Sequence, residues 1–373
     1  MKLKAILKTI LFRFVAVCIG LLFAGLLAEV ALRLSMQSRL GRSDRGREFF
    51  CRFDRQLGWA PLENITAVHK LKGLSGLVHQ NQYGLRGPDD MQLNKLPGKK
   101  RILVFGDSYV WGFGADQTMI FSAPEVHGTN EEILNFGVSG YGTDQEYLFY
   151  QLRGTNFVAD EVVVALTPYN DIANNLASKQ YSYLKPYFTL ESGQLVLHNN
   201  HVRNSRFRKI KSGLSHHSRV WNLMSEFIRS ASDSVEMLLK HNTAKARYAR
   251  YRPKAVSDRD REGVDLTVAI LKKFQEAAAA QKANFYVIFI PYVVHIKKHV
   301  PYNHPLVPLI AAGLTRAGVS YREPYLEFLK AAVAGGHPFN KTNHFSPEGH
   351  ALFAKFLTDT DTAQASVDYY SRQ

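Results

Sequence analysis

The chain has 373 residues, 46% of them apolar, with a formal net charge of +15 and two cysteines. That length and apolar content exclude a disordered chain and suit one large domain with appendages better than two equal domains. A disulfide framework is excluded as well, because Cys18 lies inside the most apolar stretch, out of reach of Cys51, and a domain of this size needs no staple.

The N-terminus reads as a basic tail (Lys2, Lys4, Lys8, Arg13), an uncharged apolar run over residues 14–28, and a polar exit at Glu29 and Arg33. The run is shorter than the roughly 20 residues that span a bilayer, but residues 10–12 and 30–32 extend it, and Arg13 can snorkel to the headgroups. Leu26 stands where a cleavage site ahead of Ala28 wants a small residue. Residues 1–35 are therefore expected to be an uncleaved N-terminal transmembrane helix, with a cleaved signal peptide as the alternative. Seven arginines follow between Arg33 and Arg55, and the positive-inside rule alone would hold them in the cytoplasm. A long folded domain translocates largely regardless of its charges, so the short tail is expected inside and the main domain outside.

Residues 36–98 read as an arginine-rich linker and an irregular collar that contains Leu57-Gly58-Trp59 and the run Asn81 to Gly87, ending on the turn Leu96-Pro97-Gly98. From residue 99 strands and helices alternate. Short apolar strands are expected at 101–105, 132–136, 161–166, 284–290 and 319–322. Between them lie helical patterns, clearest at 264–281, where Leu266, Ile270, Leu271 and Phe274 share a face. This predicts an α/β fold, a three-layer α/β/α sandwich around a parallel sheet, occupying residues 99–359 and followed by a C-terminal tail at 360–373. Ligands of such sheets sit at the carboxyl ends of the strands. A basic insertion at about 178–260 interrupts the pattern, with 16 Lys/Arg against 6 Asp/Glu from Ala177 to Asp260. It reads as a hairpin over 187–197 around Ser192-Gly193 and an amphipathic helix over 220–239, expected to lie over the strand ends as a lid. Its charge suits phospholipid headgroups or an acidic polysaccharide, or is simply a solvated face; nucleic acid is not an expected partner.

Four short segments carry candidate chemistry. Gly106-Asp107-Ser108 follows the first strand directly, so the Ser108 hydroxyl would stand at the sheet edge beside the free N–H groups of a helix start. Gly140 closes the segment 135–140 after the second strand, where glycine lets a backbone N–H approach a ligand. Asn170, in Tyr169-Asn170-Asp171 after the third, offers a side-chain N–H. His344 lies on a loop ahead of a helix at about 347–357, where a general base can meet Ser108. Each has a plainer reading alone: a common turn composition for Gly-Asp-Ser, a tight turn at Gly140, a helix N-cap at Asn170 and a surface histidine at 344.

Taken in order, these segments resemble the four blocks of the SGNH (GDSL-like) hydrolase family in its bacterial membrane-anchored form. The likeness covers residues 57–357 and includes the collar. It implies Ser108 as nucleophile, His344 as base, and the Ser108 N–H, the Gly140 N–H and the Asn170 side chain as an oxyanion hole, with no cofactor or metal. It also implies a domain facing the periplasm or cell exterior from the inner or cytoplasmic membrane. The family's usual aspartate two or three residues before the histidine is missing, its places being taken by Thr342 and Lys341. A carboxylate from elsewhere, Asn340, or a backbone carbonyl must then orient the ring, and losing the acid of a triad can lower turnover by roughly four orders of magnitude.

His295 and His299 are spaced as two ligands on one helix face would be, but no third ligand accompanies them. His350 is expected to be structural, and Asp107 and Asp171 to brace the turns bearing Ser108 and Asn170. The expectation is thus a serine esterase acting on O-acyl esters, on an acylated cell-surface polysaccharide or a lipid. An O-acyltransferase using the same site, and a noncatalytic carbohydrate-binding or assembly protein on the same scaffold, are the alternatives.

Overall fold

The computed structural model describes residues 2–35, 50–71, 73–128, 130–181, 183–204 and 256–358, with separate positions between 210 and 228. The expected linker at 36–49, the expected helix beyond residue 228 and the tail at 360–373 lie outside the described residues. The chain divides into two compact units, Met1–Asp44 with Ser205–Tyr251, and Arg45–Asn204 with Arg252–Gln373. The basic insertion expected at 178–260 is thereby shared between them.

In the first unit a single helix runs over Lys2–Ser35, and its stretch Lys8–Leu34 is long and apolar enough to cross a membrane. At about 1.5 Å per residue it exceeds the roughly 30 Å of a hydrocarbon core. Past the uncharged run, Glu29 and Arg33 pair one turn apart within the helix, at 2.9 Å.

The second unit is built on five parallel strands, β5 (Lys100–Gly106), β6 (Glu131–Gly137), β7 (Glu161–Leu166), β12 (Asn284–Phe289) and β13 (Ser320–Arg322), in the order β13-β12-β7-β5-β6. Alternate side chains of these strands feed two cores. Leu103, Phe105, Val162, Val164 and Val287 pack under the helices Thr143–Leu152, Asp258–Ala280 and Leu306–Ala317. Ile102, Val104, Val163 and Ile288 pack under Tyr325–Val333 and Pro347–Thr358. Every residue of β7 is buried, as a strand covered on both faces requires. The three-layer sandwich is therefore the architecture. Helix Asp258–Ala280 starts six residues before the expected 264, since Ser257 and Asp260 form a capping box inside the polar stretch assigned to the insertion.

Two features depart from the reading above. The collar is regular: β1 (Cys51–Asp54) pairs with β2 (Gly58–Pro61), and β3 (Ile65–Leu71) with β4 (Leu74–Gln80), as antiparallel hairpins. Polar residues at buried positions, His69 and Gln80 among them, blur their alternation. The first part of the expected lid, in turn, packs against the helical layer of the second unit. There β8 (Lys179–Gln180) pairs with β9 (Tyr183–Leu184), and β10 (Tyr187–Glu191) with β11 (Gln194–His198), around Ser192-Gly193, both left-handed. Phe188 buries against Tyr147 of the helical layer, and Lys185 makes a fully buried ion pair with Asp144 while donating to the Asn174 carbonyl at 2.9 Å.

A buried ion pair costs most when only one partner is removed. Lys185→Met is expected to lose about 3–5 kcal/mol at neutral pH, and adding Asp144→Leu to recover much of it. Urea denaturation of the two variants checks this.

Candidate active site

The strand order reverses direction between β5 and β7, the switch point at which open α/β sheets form a ligand crevice beyond their carboxyl ends. Gly106, the last residue of β5, pairs with Gly137 of β6 on one side and Ala165 of β7 on the other. The loops bearing Ser108, Gly140 and Asn170 thus leave the sheet from adjacent strands at one level.

Ser108 opens the short helix Ser108–Trp111, capped by the Asp107 side chain, which accepts from the Tyr109 N–H at 2.9 Å. The helix lies hard against the sheet, because a Cβ on Gly137 would stand 2.2 Å from the Trp111 nitrogen. Gly140 has φ +82°, a left-handed conformation that excludes most side chains. Among the described residues none accepts from the Ser108 or Gly140 N–H. Asn170 is a residue of the helix Pro168–Asn175, whose N-cap is Thr167, so the plainer N-cap reading does not apply to it. Its amide donates to Asp107 Oδ2 at 2.8 Å, leaving one N–H unspent. Asp171 accepts from the Thr167 N–H at 2.6 Å, bracing that turn as expected.

His344 meets Ser108. Its Nε2 lies 2.8 Å from Ser108 Oγ, and its Nδ1 lies 3.1 Å from Thr342 Oγ1. The contacts are satisfied in one direction: Ser108 donates to Nε2, Nδ1–H donates to Thr342, and the Thr342 hydroxyl donates to Asn340 Oδ1 at 2.7 Å. The Thr342 carbonyl also accepts from the ring. The side chain that faces Nδ1 is therefore Thr342, backed by Asn340, while Lys341 is exposed, with its Nζ over Gly73. Asn340 nucleates the loop, accepting from the Thr342 N–H at 2.8 Å and donating to the Phe345 carbonyl at 3.0 Å. Lys297 holds the loop from outside through Asn343 Oδ1 at 2.8 Å.

Burial pushes His344 down to about 4, against a raising contribution from the Thr342 carbonyl, so its imidazole is neutral over the physiological range. Burial also pushes Asp107 up to about 6, and Asp171 and Glu146 well above the ordinary carboxyl range, with their mutual repulsion adding to the last two.

Several residues of the site carried no chemical signal in the sequence. Arg86, 1% exposed, sends its guanidinium to the carbonyls of Trp111 (3.0 Å), Gly112 (2.7 Å) and Ala115 (2.8 Å), the last turn and exit of the helix that Ser108 opens. Gln80 accepts from the Trp111 indole at 3.1 Å. Tyr109 donates its hydroxyl to the Asn343 carbonyl and receives that of Tyr169, both at 2.7 Å, tying the Ser108, Asn170 and His344 segments together. The run Asn81 to Gly87 was the available clue, since a turn built on Asn81 delivers Arg86 inward. The His295 and His299 pair does not share a helix face: the helix Val293–Lys297 ends between them, and His295 Nδ1 is 2.9 Å from the Tyr302 carbonyl. His350 is buried in the last helix, facing the Phe121 N–H.

Several solved structures of hydrolases are similar in fold. They include a lipolytic protein of the G-D-S-L family from Veillonella parvula (13% identity, 70% of this chain and 98% of that one, TM-score 0.36). Another is LAE5, an alpha/beta hydrolase from the metagenome of Lake Arreo (12%, 72% and 98%, 0.38). A third is a mutant of Axe2, an acetyl-xylooligosaccharide esterase from Geobacillus Stearmophilus (11%, 72% and 94%, 0.36). No family model and no curated protein matches this sequence. At such identities and scores the chemistry has to be read from the residues themselves.

Arg86→Leu would strand three buried carbonyls of the Ser108 segment, and is expected to destabilise the fold by about 3–5 kcal/mol. Denaturant titration gives the loss directly.

Proposed function

We propose that this chain is a serine esterase with Ser108 as nucleophile and His344 as general base. The observation that carries the reading is the 2.8 Å contact of Ser108 Oγ with a neutral His344 Nε2 at the switch point of the sheet. In this reading Ser108 Oγ attacks the ester carbonyl carbon as its proton passes to Nε2. The Ser108 and Gly140 N–H groups and the remaining Asn170 N–H receive the oxyanion. Collapse breaks the ester C–O bond, the imidazolium returns the proton to the departing alcohol, and an acyl-serine remains. Water, deprotonated by the same imidazole, then attacks the acyl carbon; the acyl–Oγ bond breaks, the imidazolium returns the proton to Ser108, and the carboxylic acid leaves. No cofactor is needed.

The resemblance of the four segments to SGNH hydrolases supports the same assignment of roles. Ser108 and His344 are only half-buried, so water reaches the acyl group, which favours hydrolysis over transfer to a second acceptor. The Lys2–Ser35 helix is read here as a membrane anchor, with the enzyme facing the cell exterior or periplasm. The substrate class is then an O-acyl ester presented at the membrane, on a polysaccharide or a lipid.

Labelling of the whole chain in detergent with a fluorophosphonate probe tests the nucleophile: Ser108→Ala is expected to abolish it, and His344→Ala to slow ester turnover by on the order of 10³ or more. Labelling that persists in Ser108→Ala would place the nucleophile elsewhere. The acid limb of kcat/KM is expected to fall near pH 4, because the base works only when unprotonated. Thr342→Asp should move that limb upward, as a carboxylate beside Nδ1 stabilises the imidazolium. Thr342→Val should cost about tenfold in kcat, the worth of one neutral hydrogen bond.

A further inference from the structure

We propose that the helical positions described between 219 and 228 belong to a second membrane element, lying in the lipid interface with its apolar stripe in the hydrocarbon and clamped to the exit of the N-terminal helix. This rests on the anchor reading of that helix. The clamp is Glu29. Its carboxylate accepts from the backbone N–H groups of Arg219 and Val220 and from the Ser218 hydroxyl, each at 3.0 Å. These are the unsatisfied donors at the start of a helix, so a side chain of one helix serves as the N-cap of the next. In return Arg219 Nη1 donates to the Leu32 carbonyl at 2.9 Å, one of the orphan acceptors at the end of the N-terminal helix. A carboxylate near the end of a membrane span is costly unless paired. Here Arg33 and the 218–220 turn supply the partners.

Beyond the clamp Val220, Trp221, Met224, Phe227 and Ile228 recur at i, i+1, i+4, i+7 and i+8, one face of a helix. Met224, Phe227 and Ile228 are 56%, 76% and 63% exposed. That is an apolar stripe open to solvent, in the same unit as a helix whose apolar side chains, such as Phe12 (73%) and Leu22 (74%), are equally open. A bilayer covers both at once. The clamp sits at residues 29–32, where a span beginning near Lys8 has used the roughly 20 residues that cross the hydrocarbon, so the second helix leaves at the depth of the interface. Trp221 suits that depth, and the five basic residues between 203 and 211 suit anionic headgroups.

The chain carries its own probe. Of its three tryptophans, Trp59 and Trp111 are 1% and 4% exposed in the other unit, which leaves Trp221 to report lipid contact. The whole chain is reconstituted in phosphatidylcholine–phosphatidylglycerol vesicles containing nitroxide-labelled phosphatidylcholine, washed in alkaline carbonate, and its emission recorded. The expected result is a chain that stays with the vesicles and is quenched, with the quenched component lost in Trp221→Phe and reduced in Phe227→Ser/Ile228→Ser. A retained chain whose quenching is the same with and without Trp221 overturns the proposal alone. So does a retained chain whose Trp221 emits as buried yet escapes lipid quenching, since protein, such as a second copy, then covers the stripe. A chain that washes off overturns the anchor reading and this one together.

Discussion

The buried guanidinium of Arg86 organises the strand-end edge of the second unit. A helix of four residues cannot satisfy its own last carbonyls, and the helix Ser108–Trp111 is pressed so closely onto β6 that only a glycine fits beneath it. Arg86 supplies the missing donors from the collar, and burial without a carboxylate in contact lowers it to about 9. Position is gained through a cation held among backbone dipoles. The collar hairpins are thus part of the site, as their Gln80 contact with Trp111 also shows.

From that edge the polar network runs outward in one direction. Asp107 spends one oxygen on the cap and the other on Asn170, and Tyr109 reaches across to the histidine loop. The buried acids nearby are raised by desolvation and are committed to bracing turns or to holding protons. None takes the place behind His344. Thr342 and Asn340 do, as neutral groups whose hydrogen bonds fix the tautomer without contributing charge.

Four of the sheet strands were legible in the sequence because each is a short, largely buried apolar run, and such runs leave little doubt about period or length, whereas the edge strand β13, exposed to half-buried, gave a weaker signal. Ser108, Gly140, Asn170 and His344 were legible as segments because each follows such a run or precedes the last helix. Their geometry was not. That Asn170 would spend a hydrogen on Asp107, or that Thr342 would turn toward Nδ1 while Lys341 turned away, depends on the left-handed Asn343 and on the loop folding around Asn340. The regular hairpins of the collar escaped notice for a related reason: their buried polar residues find partners far along the chain, which no local pattern encodes. The basic stretch after residue 204 was read as part of one lid because its charge is continuous, whereas Ser218, Arg219 and Val220 bond to one carboxylate, Glu29, nearly 190 residues away.

The neutral support behind His344 has a consequence for selectivity. An imidazolium without a carboxylate neighbour is a stronger acid but a less populated one, so the proposed mechanism can form it only briefly. Reactions that need it to rescue a poor leaving group, amide cleavage above all, suffer most. Esters of acidic or activated alcohols suffer least. The threonine behind His344 would then act as a filter, confining the serine to bonds that break almost unaided.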